Sequence, residues 1–333
     1  MSGSLNYFPS GNREHAPHLR QDLLYWHGAK IVFCLCFLCF LLLKSLVAAQ
    51  WLRHTYSQTT KAMTSMTKLT SSEIDEYHER GFLVPKFRLH ADRLTQLRAA
   101  LKRVIAANPE TRPEQLVSIH IDEKNTEGVA GDEKFLDIAC DDQIVDLVEQ
   151  LIGPDVVLWG CQAFCKPPGD GMEVPWHQDG HYWPIRPLAT CTVWIAIDDS
   201  VIENGCLRVI PSSHRAKALY SHFKEERSDV VLNQRVEDGL FDESSAVDVE
   251  LEAGQISLHN VYLIHGSNPN RSARRRAGLA IRYMPGSSLF DRSRPAAGTN
   301  AGYAVDFSNR PLWLLRGEDT TGQNDFRIGH RLG

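Results

Sequence analysis

The chain has 333 residues, of which 43% are hydrophobic and 23% are charged, and its formal net charge is -5. This composition is typical of a globular protein with enough apolar residues to build a sizeable core. The acidic balance excludes a chain-wide basic surface of the kind that binds nucleic acid, so we expect no nucleic-acid partner.

The first predicted element is an apolar segment at residues 31–49. Its uninterrupted part, 31–43, is shorter than the roughly 20 residues that usually span a membrane. Three interpretations stay open for it: a membrane anchor, a cleaved signal, and an extension that is foreign to the working protein. We therefore predict an N-terminal extension, residues 1–66, followed by one domain, residues 67–333.

Three helices are predicted in the first part of this domain. A capping box at residues 70–73 indicates a helix that ends near Gly81. Apolar residues at helical spacing predict a second helix from Asp92 to about Ala107 and a third from about Asp142 to Ile152. The polar, glycine-containing residues 120–133 between them predict a loop.

After the third helix the pattern changes to short strands. The segments VVLWGCQAFCK, TCTVWIAID, GCLRVIP, GQISLHNVYLIH and AGLAIRYM are separated by Gly, Pro and Asn turn signals. Many short strands without alternating helices favour a sandwich or a jelly-roll barrel, whose interior can hold a ligand. The predicted helices then pack on its outside.

The cysteines indicate a reducing environment. Eight are present, three of them in the apolar N-terminal run, and the remaining five form no CxxC pair. The remaining five are an odd number, which fits free thiols in a reducing compartment such as the cytoplasm better than a disulfide framework. We predict that location for the domain, with tethering to a membrane if the apolar segment is an anchor.

The stretch VPWHQDGHYW suggests a metal site. Side chains alternate across a strand, so His177 and Asp179 would share one face while Gln178 points to the other. Divalent iron in oxygenases is bound by two imidazoles and one carboxylate, with the other positions open. The second imidazole is expected 88 residues later, from His265, with His259 as the competitor. If His259 is not a ligand, its ordinary role is that of a buried histidine that donates a hydrogen bond to one. The ordinary alternative for the motif itself is a surface pair or a hydrogen-bonded core pair.

An arginine cluster, Arg274 to Arg276, follows the distal histidine. A planar guanidinium can hold a carboxylate by two parallel hydrogen bonds. A 2-oxo acid could then chelate the iron at one end and be held by arginine at the other. Adjacent strand residues cannot all face inward, so two of the three arginines are expected to be solvated.

Several separated blocks of the chain resemble one known family. HQDGHYWPIRP, TVWIAIDDSVIENGCLRVIPSSH and HGSNPNRSARRRA are similar to the phytanoyl-CoA dioxygenase family of Fe(II)/2-oxoglutarate-dependent oxygenases, and the resemblance runs from about Leu69 to beyond Met284. It implies a mainly β fold with flanking α-helices and a double-stranded β-helix (jelly-roll, cupin-like) core. It also implies an enzyme that uses Fe(II), 2-oxoglutarate and O2 to hydroxylate a C–H bond of a small organic substrate, with release of succinate and CO2.

The resemblance assigns roles to individual residues. It implies that His177, Asp179 and His265 bind the iron. It further implies that Arg276, eleven residues after the distal histidine, binds the far carboxylate of 2-oxoglutarate.

Further residues are predicted to line the pocket. By the same resemblance Trp194 walls the 2-oxoglutarate site and Ser267 assists its carboxylate, while Thr192 shares a face with Trp194 and offers a hydroxyl. The residues directly after the histidine-aspartate motif are candidate substrate contacts: His181, Tyr182, Trp183 and Arg186. Tyr182 and Trp183 fit packing at the rim equally well.

Three alternatives to this hydroxylase stay open. One is a non-catalytic jelly-roll module that binds a ligand and keeps a relic metal site. Another is a metal-independent acid-base enzyme of the cupin type, which should work in the presence of a chelator. The third is a different outcome at the same iron centre, namely desaturation, epoxidation or ring formation. No protein partner is evident from the sequence, and the identity of the small-molecule substrate is not encoded in these motifs.

Overall fold

The computed structural model of the protein describes residues 67–121, 129–181, 183–293 and 307–330. The predicted N-terminal extension and its apolar segment lie outside the described residues. Within those four ranges, no helix combines the length and the apolar character needed to cross a membrane. The boundary predicted at residue 66 therefore stays a prediction.

Four α-helices are found among the described residues: α1 (Ser71–Arg80), α2 (Ala91–Ala107), α3 (Glu133–Ala139) and α4 (Asp142–Ile152). The three predicted helices are confirmed as α1, α2 and α4. The additional helix α3 was not predicted, because seven residues are too few to display a helical period. Its start is marked by Asp132, whose carboxylate accepts a hydrogen bond from the Lys134 amide at 3.0 Å.

Helix α1 begins and ends where its sequence indicates. The Thr70 hydroxyl accepts a hydrogen bond from the Glu73 amide at 3.2 Å, and the Glu73 carboxylate accepts one from the Thr70 amide at 2.8 Å. Both bonds of the capping box are therefore present. The helix ends at Gly81, whose φ of 84° lies in the left-handed region that glycine adopts without strain.

A seven-stranded sheet forms the main layer of the domain. Its order is β1-β11-β6-β13-β3-β15, with β2 paired to β3, and all pairings are antiparallel. The strands are β1 (Phe82–Leu83), β2 (Leu116–Val117), β3 (Val156–Lys166), β6 (Cys191–Ala196), β11 (Ile256–Asn260), β13 (Arg276–Pro285) and β15 (Trp313–Arg316).

A second sheet of four short strands has the order β10-β7-β12-β4. These strands are β4 (Val174–His177), β7 (Leu207–Val209), β10 (Val247–Val249) and β12 (His265–Ser267). Two small ribbons complete the β structure, β5 (Ile185–Arg186) with β14 (Leu289–Phe290) and β8 (His222–Lys224) with β9 (Gln234–Val236). The predicted mainly β jelly roll with flanking helices is confirmed.

The large sheet is buried on both faces, and each face has its own partner. On one face Val193 and Ile195 of β6 belong to the same core cluster as Leu97 and Leu101 of α2. On the other face Trp194, one position apart, joins a cluster with residues of the small sheet. The period of two along β6 therefore separates a helix-covered core from the space between the two sheets.

The capping box makes the first testable prediction. Replacing Thr70 with Ala removes the hydroxyl acceptor at the start of α1 and should lower the free energy of unfolding by about 1 kcal/mol. Urea denaturation followed by circular dichroism measures this loss. Thr95→Ala is the control, because that exposed hydroxyl only donates to the Ala91 carbonyl and alanine is the better helix former. An equal loss in both variants would contradict the capping role.

Candidate active site

The pairing of β4 with β12 brings the two predicted histidine ligands together. His177 at the end of β4 is the Cα partner of His265 at the start of β12, and their ring centroids are 4.1 Å apart. The predicted strand through both residues of the His-x-Asp motif is wrong in one respect. Strand β4 ends at His177, and Asp179 begins a short 3-10 turn that directs its carboxylate to the same point.

These three side chains form a buried group with the donor atoms of an iron site. One donor atom from each of His177, Asp179 and His265 lies within 4.8 Å of the other two. Nε2 of His177 is 3.7 Å from Oδ1 of Asp179. This last separation is within the span of two metal–ligand bonds of about 2 Å each. The set of two imidazoles and one carboxylate is the one that non-heme Fe(II) oxygenases use.

Backbone carbonyls fix the orientation of both imidazoles. Nδ1 of His177 donates to the Pro175 carbonyl at 2.8 Å, and Nδ1 of His265 donates to the Leu263 carbonyl at 3.0 Å. A carbonyl can only accept, so Nδ1 of each ring carries a proton. This leaves Nε2 as the nitrogen that can bind a metal, which is the arrangement that supports metal-binding histidines in proteins.

The site favours the protonation states that a metal requires. Burial, followed by the neighbouring His177 ring, lowers the pKa of His265 well below its ordinary value, so this imidazole is neutral at pH 7. Burial alone would raise the pKa of Asp179, but the His177 and His259 rings beside it outweigh burial and hold that pKa well below its usual range. Asp179 is therefore an ionised carboxylate.

The competing histidine, His259, lies beside the group. Its Nε2 is 3.7 Å from Oδ2 of Asp179, the oxygen that does not face His177. Its ring centroid is 4.8 Å from that of His265. Its Nδ1 is buried without a hydrogen-bond partner among the described residues. This position suits a residue that supports the carboxylate, as predicted for His259 if it is not a ligand.

Arg276 lies at the other end of the same space. Arg276 is 2% exposed; its Nε donates to the Gly205 carbonyl at 3.0 Å and its Nη2 to Oγ of Ser267 at 3.3 Å. The guanidinium carbon lies 5.5 Å from the centroid of the Trp194 ring. The indole has room because residue 278 is glycine, where a Cβ would lie 2.0 Å from Cζ2 of Trp194.

The other two members of the arginine cluster face outward. Arg274 pairs with Glu203 at 2.9 Å and Arg275 pairs with Asp198 at 2.8 Å, and both arginines are exposed. The expectation that two of the three are solvated is confirmed. Only Arg276 of this cluster points into the space between the sheets.

One cavity connects Arg276 to the cluster of His177, Asp179 and His265, called the metal group below. Residues of both sheets line this cavity, and all seven residues predicted to bind iron or 2-oxoglutarate are among them. These are His177, Asp179, Thr192, Trp194, His265, Ser267 and Arg276. Oγ1 of Thr192 has no hydrogen-bond partner among the described residues, so it is available to a ligand.

Comparison with known proteins identifies the family. A family model described as phytanoyl-CoA dioxygenase matches residues 77–278, which is more than half of the chain. The chain belongs to the phytanoyl-CoA dioxygenase family. The match includes all seven cavity residues named above, among them the three predicted iron ligands.

Individual relatives agree with this assignment. A phytanoyl-CoA dioxygenase domain-containing protein 1 homolog of Dictyostelium discoideum is 31% identical over 46% of this chain and 56% of its own length. A probable alpha-ketoglutarate-dependent hypophosphite dioxygenase of Stutzerimonas stutzeri is 31% identical over 43% of this chain. The alignment spans 50% of that second protein, so this chain matches about half of the length of both relatives.

The fold agrees as well. The structure of the non-heme monooxygenase ThoJ in its apo form has a TM-score of 0.58 and 25% sequence identity to this chain. The similarity covers 74% of this chain and 84% of the ThoJ chain.

The predicted substrate contacts of this phytanoyl-CoA dioxygenase family member are only partly placed. His181 stacks on His222 with ring centroids 4.3 Å apart, and Trp183 packs edge-on against Trp159 at 4.6 Å. Arg186 is exposed and donates to backbone carbonyls of its own segment. None of these three described residues lines the cavity that is formed in part by the metal group. Tyr182 lies outside the described residues.

Gln178, the middle residue of the motif, has a structural role that the motif alone did not reveal. It faces away from the metal group and is fully buried. Its amide nitrogen donates to the carbonyls of Ala218 at 3.1 Å and Tyr262 at 2.7 Å, and its oxygen accepts from the Tyr220 amide at 2.7 Å. These bonds hold the segment after residue 217 against the turn that follows β4. The alternation of the motif gave the direction of Gln178 but not its partners.

The geometry predicts which histidines are needed for metal binding. His177→Ala and His265→Ala should each abolish binding of Mn(II), used as a stable substitute for Fe(II), because each removes one of three donors. His259→Ala should weaken binding by no more than about tenfold, as expected for a residue that supports a ligand. Isothermal titration calorimetry measures the three affinities.

The comparison between two of these variants decides the assignment. If His259→Ala lost Mn(II) binding and His265→Ala kept it, the distal ligand would be His259.

Proposed function

We propose that this protein is an Fe(II)/2-oxoglutarate-dependent oxygenase that hydroxylates a C–H bond of a small organic substrate. The observation that carries the proposal is the single buried cavity with two imidazoles and a carboxylate at one end and Arg276 at the other. An acid that chelates iron through a 2-oxo carboxylate and carries a second carboxylate fits both ends. 2-Oxoglutarate is such an acid.

The residues present fit the iron and its co-substrate. His177, Asp179 and His265 would hold Fe(II), with the remaining positions open to 2-oxoglutarate and O2. Bound Fe(II) supplies the oxidative decarboxylation of 2-oxoglutarate to succinate and CO2, coupled to hydroxylation of the substrate. Arg276 and Ser267 orient the co-substrate by its distal carboxylate.

The apolar side chains of the cavity exclude water from the reaction. Phe164, Val174, Leu207 and Ala280 line it together with the polar groups. Side chains of this kind exclude water from the metal and leave the charged residues as the main contacts of the co-substrate. The protein's contribution is therefore to position two reactants and to keep the site dry.

The alternative of a non-catalytic module is less well supported. A relic site would be expected to have lost at least one ligand or the carboxylate-binding arginine. Here the three donors converge with their lone pairs directed inward, and Arg276 alone of its cluster is buried. Desaturation, epoxidation and ring formation would use the same residues, so hydroxylation is proposed as the simplest outcome of this set.

The location in a reducing compartment stays part of the proposal. The four buried cysteines of the described residues, Cys161, Cys165, Cys191 and Cys206, are free thiols. Burial raises the pKa of Cys165 to about 11, so its thiol is protonated and unreactive at pH 7. These thiols support the predicted reducing environment.

Succinate formation tests the activity. The protein incubated with Fe(II), 2-oxoglutarate and panels of acyl-CoA thioesters and amino acids should release succinate, and Asp179→Ala should abolish the release. Asp75→Ala is the matched control, because this exposed aspartate lies on the surface of α1. Liquid chromatography with mass spectrometry measures succinate and a product 16 mass units heavier than its substrate, the mass of about one oxygen atom. Activity that persists in Asp179→Ala, or in the presence of a chelator, would contradict iron catalysis.

The arginine cluster gives a second test. Arg276→Ala should raise the KM for 2-oxoglutarate by roughly 10- to 100-fold, because a hydrogen bond to a charged group contributes about 1.5–3 kcal/mol. Arg275→Ala should leave this KM unchanged, since Arg275 pairs with Asp198 outside the cavity. Succinate release at varied 2-oxoglutarate measures both values. A larger effect of Arg275 would assign the carboxylate to that neighbour.

A further inference from the structure

A second buried cation lies directly opposite Arg276. Lys166, at the end of β3, is the Cα partner of Arg276 on β13, and it is fully buried. Directly opposite residues of an antiparallel pair share one face, where like charges destabilise the sheet. Burial increases this cost, because neither charge is solvated by water. The placement of a lysine opposite Arg276 therefore needs a physical explanation.

The partners of the two cations are neutral. Nζ of Lys166 donates to Oγ of Ser267 at 2.7 Å, to the Ser267 carbonyl at 3.3 Å and to the Asn268 carbonyl. Arg276 donates to Ser267 Oγ and to the carbonyls of Gly205 and Phe164. Across the described ranges, no carboxylate lies within ion-pair distance of either cation.

The nearby buried acid Glu114 is engaged elsewhere. Its carboxylate accepts from Arg112 at 2.9 Å and from the Met172 amide at 3.1 Å. It is therefore already paired with a cation of its own. The Lys166 and Arg276 pair lacks an equivalent partner among the described side chains, which is the arrangement expected where an anionic ligand supplies the missing charge.

Both cations act on one hydroxyl. Oγ of Ser267 accepts from Nζ of Lys166 and from Nη2 of Arg276, at 2.7 and 3.3 Å. A hydroxyl oxygen has two acceptor positions, so both are used and the O–H must donate to a third group. Ser267 lines the cavity. Its proton is therefore available to a carboxylate bound beside Arg276.

We propose that Lys166 is a positioning residue for the distal carboxylate of the co-substrate: it holds Ser267 as a hydrogen-bond donor and adds a second positive charge behind Arg276. The site then selects a 2-oxo acid that carries a carboxylate at its far end over one that ends in a methyl group. This inference rests on the proposed function, because it concerns the same cavity.

The electrostatics of the Lys166 and Arg276 pair support this role. Burial, followed by the charge of Arg276, lowers the pKa of Lys166 well below its ordinary value. Burial lowers the pKa of Arg276 to about 10. An anion bound beside Arg276 and Ser267 would oppose both effects by favouring the charged forms.

The test compares two acids in the presence of Mn(II). 2-Oxoglutarate and 2-oxopentanoate share the metal-chelating end, but 2-oxopentanoate has a methyl group in place of the distal carboxylate. Lys166→Met should weaken the Kd for 2-oxoglutarate by roughly 10- to 100-fold and leave the Kd for 2-oxopentanoate unchanged. Isothermal titration calorimetry measures both. Lys102→Met, an exposed position on α2, is the matched control and should change neither value.

Further variants distinguish positioning from a general effect on folding. In a Ser267→Ala background, Lys166→Met should cost less than it does alone, because part of its effect passes through the hydroxyl. If Lys166→Met does not fold, Lys166→Gln serves instead, since it keeps a donor without the charge and should lose an intermediate part of the selectivity.

The possible failures are separable. Equal weakening of both acids by Lys166→Met or Lys166→Gln, with normal binding by the wild-type protein, would overturn the role of Lys166 and leave the proposed function intact. A wild-type protein that binds Mn(II) but not 2-oxoglutarate would overturn both.

Discussion

The antiparallel pairing of β4 with β12 is the constraint on which the site depends. It sets His177 opposite His265, so two residues that are distant in the chain become neighbours in one ladder. The turn that follows β4 then returns Asp179 to the same point. Carbonyls of the residues two positions before each histidine fix the imidazoles. The metal group is thus built into the backbone of the small sheet rather than attached to a flexible loop.

The large sheet supplies the other half of the cavity. Arg276, Trp194 and Thr192 come from strands whose opposite face is covered by helices, so their positions are set by a packed core. Facing sheets are separated by about 10 Å. The distance between the metal group and the carboxylate-binding residues is therefore a property of sheet packing. Ser267 lies where the two parts meet, because it belongs to β12 and bonds to Arg276 and Lys166.

Local signals in the sequence predicted the features that depend on few residues. The ends of α1 followed from Thr70 and Gly81, since capping and a left-handed glycine act within a few residues. The family motifs identified the candidate ligands and Arg276. The single strand expected through the His-x-Asp motif was wrong, because alternation assumes that pairing continues, whereas β4 loses its partner after His177. The contacts of Gln178 and Lys166 were missed for a related reason: their partners are distant in the chain.

The residue types and the order of the segments that hold them follow from the sequence alone: two histidines, an aspartate and an arginine in a chain of short strands. The way in which these residues are used depends on the folded arrangement of the strands. The register of the strands directs Arg276, of three adjacent arginines, into the cavity and pairs it with Lys166. It also places His259 beside the Asp179 carboxylate. Register depends on which strands pair, and that choice is made by the burial of whole sheet faces, which no short motif encodes.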